Sequence, residues 1–97
     1  MSSCEPTGDP VELNDRGYDL MQAGDYDGAI PLLEQAVAAY PEGSQELTYA
    51  YALYNLGRSL RLAGRPDEAV PVLERRLRIP NQTETVQREL DAARAAS

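Results

Sequence analysis

Few side chains in this 97-residue chain could do chemistry, and none stands with a partner. Histidine is absent, so the commonest general base and metal ligand is missing. The single cysteine, Cys4, sits in a Ser-Ser-Cys-Glu-Pro leader with no catalytic partner in view. It reads as a free tail thiol, with an intermolecular disulfide or a lipid attachment as the alternatives, and one cysteine cannot staple the fold internally. Asp25-Tyr26-Asp27-Gly28 has the opening of a calcium loop, but the third Asp and the Glu at position twelve are absent. Those carboxylates suit a helix N-terminus instead. Glu34 and Glu74 recur forty residues apart and could in principle exchange protons, but neither has a supporting group, and both read as exposed helix surface. No glycine-rich phosphate loop is present. The expectation is a protein that is not an enzyme and needs no cofactor or metal.

The surface is acidic. Sixteen Asp and Glu against nine basic residues give a formal charge of −7, and all nine basic residues are Arg. That usage, with abundant Ala, is typical of a GC-rich genome. An acidic domain lacks the basic face that phosphates require, so nucleic acid is not an expected partner. The charge is uneven: residues 1–55 carry ten acids and one base, residues 56–97 six acids and eight bases. No apolar run approaches the roughly 18 residues of a membrane span, and no secretory signal is visible. A soluble, cytoplasmic protein with no membrane partner is expected. At this length it is one small, marginally stable domain.

The elements that must carry these residues are written twice. Residues 13–37 and 53–77 align with ten identities: Leu13, Gly17, Leu20, Ala23, Gly24, Asp27, Ala29, Pro31, Leu33 and Glu34 recur at +40. Ile30, Leu32 and Val37 find apolar counterparts in Val70, Val72 and Leu77. A fixed period signals stacked units that cannot bury their apolar faces alone. Residues 1–8 are small and polar and read as a disordered leader, followed by one domain over 9–97. Asp9-Pro10 starts a first helix, 10–23, which Gly24 ends. Asp25 caps a second, 26–40, with Pro31 expected to bend it. Ser44 is expected to cap a third helix running to about Ala63, and Pro66 to start a fourth, to about Ile79. Asn81-Gln-Thr-Glu84 reads as a capping box for a last helix, 82–95, whose Val86, Leu90 and Ala93 form a narrow apolar stripe. There is no strand signal. The fold class is all-α, with repeats at about 10–43 and 44–80 and a C-terminal capping helix.

This repeat resembles the tetratricopeptide repeat family over about 10–80. The family pattern is W-x2-L-G-x2-Y, then A-x3-F, then P, over about 34 residues. The first copy reads Leu13-x2-Arg16-Gly17-x2-Leu20, Ala29-x3-Leu33, Pro41; the second reads Leu53-x2-Leu56-Gly57-x2-Leu60, Ala69-x3-Leu73, Pro80. The resemblance implies a right-handed solenoid of helix pairs, with Gly17 and Gly57 facing Ala29 and Ala69 at the crossings. It departs in two ways. Arg16 replaces the usual Leu, and the period is 40, which is expected to lengthen the third helix at its start by about 9 Å. In this family the first helix of each pair lines a concave binding face. The resemblance thus implies a protein or peptide partner held by Asn14, Tyr18, Tyr51, Tyr54, Asn55, Arg58 and Arg61, with Met21, Gln22 and Leu62 beside them. Tyr and Arg are the residue types that most often dominate such contacts. Asn55 sits where several peptide-binding members place an Asn on ligand backbone, but the basic residues of their carboxylate clamp are not matched.

Repeat arrays usually need about three units and polar ends. Two repeats, with Leu47, Tyr51 and Tyr54 on the third helix, leave apolar surface that a second copy could cover. A homodimer is therefore expected, with the acidic half of one chain facing the Arg-rich half of another. Self-assembly through these surfaces is the alternative to peptide binding.

Overall fold

Asp9 starts the first helix by accepting the Val11 amide at 3.0 Å, with Pro10 next at a position that needs no N–H. In the computed structural model, which describes residues 9–97, five helices follow in order: α1 (Pro10–Gln22), α2 (Tyr26–Ala38), α3 (Leu47–Leu62), α4 (Pro66–Leu77) and α5 (Thr83–Ala96). The described residues contain no strand. The expected leader, with Cys4, lies outside them. Asp25 caps α2 by accepting the Gly28 amide at 2.9 Å. Gly24 and Gly64 end α1 and α3 with φ of 86° and 84°, a region where a Cβ is disfavoured. Pro31 and Pro71 lie inside α2 and α4, on exposed positions, and both helices run on through them.

Two helix starts differ from expectation. Ser44 does not cap α3. Its hydroxyl accepts the Glu46 amide at 3.1 Å, forming a local turn, and α3 begins three residues later with no side-chain cap. Accordingly α3 has 16 residues against 13 in α1, a gain of about 4.5 Å rather than 9 Å. The rest of the insertion lies in the α2–α3 loop. The capping box at 81–84 does not form either. Gln82 adopts a left-handed conformation (φ 54°) and α5 starts without a side-chain cap. The cause is Arg76, 2% exposed, whose guanidinium donates to the Ile79 carbonyl at 3.0 Å and the Asn81 carbonyl at 2.9 Å. Those bonds fix the α4–α5 turn in place of a cap.

The repeats pack as the doubled pattern requires. Ala29, Leu33, Ala69 and Leu73 are fully buried. A Cβ placed on Gly57 would stand 2.5 Å from Cγ and Cδ2 of Leu73, and one on Gly17 2.7 Å from Cγ of Leu33. Both crossings are thus closed by a leucine seated on a glycine. Ala69→Leu adds three carbons to such a crossing and should cost about 1–3 kcal/mol by overpacking. Chemical denaturation checks this, and a wild-type midpoint would place the crossing elsewhere. The copies differ at one position of this helix: Leu56 is buried in the second, whereas its counterpart Arg16 is exposed.

Each helix packs on its neighbours in sequence. In addition α1 touches α3 and α3 touches α5, while α2 and α4 make no such contact. Hence α1, α3 and α5 form an inner layer and α2 and α4 an outer, more widely spaced one. The array is elongated, 46 × 27 × 18 Å. Through Val86, Leu90 and Ala93, all essentially buried, α5 takes the place that the first helix of a third pair would take.

Candidate functional site

The exposed large hydrophobic residues of the described chain are Val11, Tyr18, Leu47, Tyr51 and Leu62, and all five lie on α1 and α3. Their spacing explains why. Val11 and Tyr18 are seven apart on α1. Leu47, Tyr51, Arg58 and Leu62 follow one another on α3 at helical intervals, so each set lies along one helix face. At the period of 40, Val11 corresponds to Tyr51, Tyr18 to Arg58 and Gln22 to Leu62, so both copies present the same positions. Tyr18 accepts a hydrogen bond from the Gln22 amide at 3.0 Å, which steadies its ring. Tyr54 is half-buried against the core, and Met21 belongs to the core outright.

Four of the residues expected on this face spend polar groups within the chain. Asn14 and Asn55, each 8% exposed, bond to one another between α1 and α3, Asn55 Nδ2 donating to Asn14 Oδ1 at 3.1 Å. Their amides therefore tie the inner layer together. Arg58 and Arg61 converge on Glu89 of α5: Arg58 donates at 3.2 Å, and Arg61 reaches both carboxylate oxygens through Nε and Nη2. Glu89 is 5% exposed, and the hydrogen bond from Arg61 to it holds that guanidinium above its ordinary basicity. Glu89 is a residue the sequence reading missed, as is Val11. The Arg58 side chain remains 42% exposed beyond the pair.

Two of the residues weighed for chemistry, Asp25 and Glu74, are otherwise engaged. Asp25 caps α2, and exposed Glu74 pairs with Arg94 of α5 at 2.9 Å. No helix of the described residues is long and apolar enough to cross a membrane.

An inner layer of repeat helices that carries the exposed aromatic and aliphatic residues is the architecture of a helical-repeat scaffold. Comparison with known families then places it: the tetratricopeptide repeat family model matches residues 11–82, and the chain belongs to that family. Its members are, in general, protein–protein interaction modules, and the repeat fold is a non-catalytic one. A search of the curated proteins finds no match.

Proposed function

We propose that the inner face of α1 and α3 binds a peptide segment of a partner protein, extended or helical, carrying apolar and acidic side chains. The observation that carries this reading is the confinement of the large exposed hydrophobics of the described residues to these two helices, with Val11 and Tyr51 at equivalent positions of the two copies. On a small domain such a patch marks a contact surface. Tyr18 and Tyr51 supply rigid aromatic anchors, Val11, Leu47 and Leu62 extend the apolar track, and the open side of Arg58 offers a charge to an incoming carboxylate. Asn14, Asn55, Tyr54 and Arg61 act from behind, holding the helices at their spacing.

A peptide-array screen tests this with wild type and Tyr18→Ala/Tyr51→Ala. Anchor residues of this kind are worth about 2 kcal/mol or more each, so binding should weaken about 30-fold or more per tyrosine. Both side chains are exposed enough that helicity by circular dichroism should be unchanged. An identical peptide profile in the double variant removes this face from the function. The charge asymmetry of the two halves supports a second reading, a homodimer using the same face. Light scattering at tens of micromolar separates the two: a single-chain mass favours the peptide, and a double mass that loosens with added salt favours the charge-steered dimer.

A further inference from the structure

The departure of the repeat from a 34-residue period does more than lengthen a helix. The inserted residues form a loop that, with the start of α3 and the end of α4, borders a shallow, open cleft with a cavity volume of about 20 Å³, away from the tyrosine track. Its walls are residues 43–45, Tyr49, Arg75, Arg78 and the apolar Ile79. That is far below the roughly 300–1,000 Å³ of sites for drug-sized molecules, so only the head of a small group can seat at its mouth. No carboxylate lines it; Glu42 and Glu46 flank the loop without forming part of the wall.

The charge here runs against the rest of the chain. Arg58, Arg61, Arg65 and Arg94 each have an acid partner. Among the described residues Arg16, Arg75, Arg78 and Arg88 have none within 4 Å, and of these Arg75 and Arg78 line the cleft. Arg76 between them is buried and bonded only to backbone carbonyls, so a third uncompensated guanidinium lies close by. Arg75 is also held in place. Its guanidinium lies over the Tyr49 ring, 5.9 Å from the centroid, and donates to the Tyr49 hydroxyl at 2.6 Å. Tyr49 is itself 2% exposed and packs on Tyr40 with ring centroids 5.6 Å apart. A planar guanidinium fixed in this way loses little freedom on pairing with an oxyanion, which it can meet through two parallel hydrogen bonds.

We propose that this cleft is an oxyanion site, in which Arg75 and Arg78 grip a phosphoryl or carboxylate group and the Ser44 hydroxyl lies beside it. The site is independent of the peptide face. It is a product of the insertion, since the loop supplies one wall and α4 the other.

Titration of the ¹⁵N-labelled chain with inorganic phosphate, and separately with acetate, at ionic strength held constant with sodium chloride, tests it. Saturable shifts of the residue 43–45 amides are expected with at least one anion. Phosphate alone assigns a phosphoryl group, acetate alone a carboxylate, and both assign a general oxyanion site. Arg78→Gln, at an exposed position, and Arg75→Gln should each weaken binding about tenfold or more, while Arg16→Gln, at an exposed position of α1 away from the cleft, should leave it unchanged. The proposal is overturned by shifts that fail to saturate with either anion, by insensitivity to both cleft variants, or by an equal loss in Arg16→Gln.

Discussion

Leu73→Ala should cost the domain about 2–5 kcal/mol, a large share of the stability of so small a chain. The residue is fully buried and sits on the backbone of Gly57, so truncation leaves a void at the α3–α4 crossing that rigid helices cannot close. For a domain of this size the midpoint of thermal unfolding should fall by about 10 °C or more. Gly57→Ala has two opposed effects. Alanine favours a helix over glycine by about 0.5–1 kcal/mol, but its methyl would lie 2.5 Å from Cγ of Leu73, an overlap costing about 1–3 kcal/mol. The overlap should win in the wild-type background. In Leu73→Ala the space is vacant, so the same substitution should become neutral or stabilising. The double variant should therefore be more stable than the sum of the singles by about 0.5–3 kcal/mol. Strict additivity in urea denaturation would mean that the two residues do not meet.

Arg76→Ala should be comparably severe, about 2–5 kcal/mol, and its effect should begin at one end. Burial of Arg76 without an acid lowers its basicity, and the residue persists because its fork serves two carbonyls of the α4–α5 turn. Bonds from a charged donor are worth about 1.5–3 kcal/mol each. Desolvation of the guanidinium offsets much of that gain. Arg76→Met, which fills the space and removes the charge, should thus lose less than Arg76→Ala. Both should expose the Ile79 and Asn81 carbonyls and release α5. In hydrogen exchange, the amides of Val86–Leu90 should lose protection before those of α1 and α2. Unchanged protection in α5 with a normal turn would defeat this account.

Local chemistry explains what was legible in the sequence. Asp9, Asp25, Gly24 and Gly64 act on backbone within a few residues of themselves, so their caps and stops read directly. The crossings read equally well, because Gly17 with Leu33 and Gly57 with Leu73 recur at one period. Ser44 misled because the same hydroxyl can cap a helix or close a turn, and the choice depends on where α3 is anchored by its core residues. The Asn81–Glu84 box failed to a competing local demand, the bonds of Arg76 to carbonyls three and five residues ahead in that turn. Of the expected binding residues, Tyr18, Tyr51 and Arg58 reach the surface of the inner layer. Asn14 and Asn55 turn toward each other, a pairing hinted at by their separation of one period plus one residue. Glu89 was illegible without knowing that α5 folds back on α3, 28 and 31 residues from its two arginines.

The contact pattern of the helices bears on how the chain is made. Each helix touches only the next one or the next but one. No contact has to wait for a remote segment, so loop-closure entropy is small and folding should be fast for its size. On the ribosome, α1 and α2 can close their Gly17–Leu33 crossing while the second copy is still being synthesised. The second copy then docks on a surface already formed, and α5, emerging after it, covers the freshly exposed edge of α3 and α4. Assembly in order of synthesis leaves little time for the tyrosine-bearing helices of neighbouring nascent chains to pair with one another.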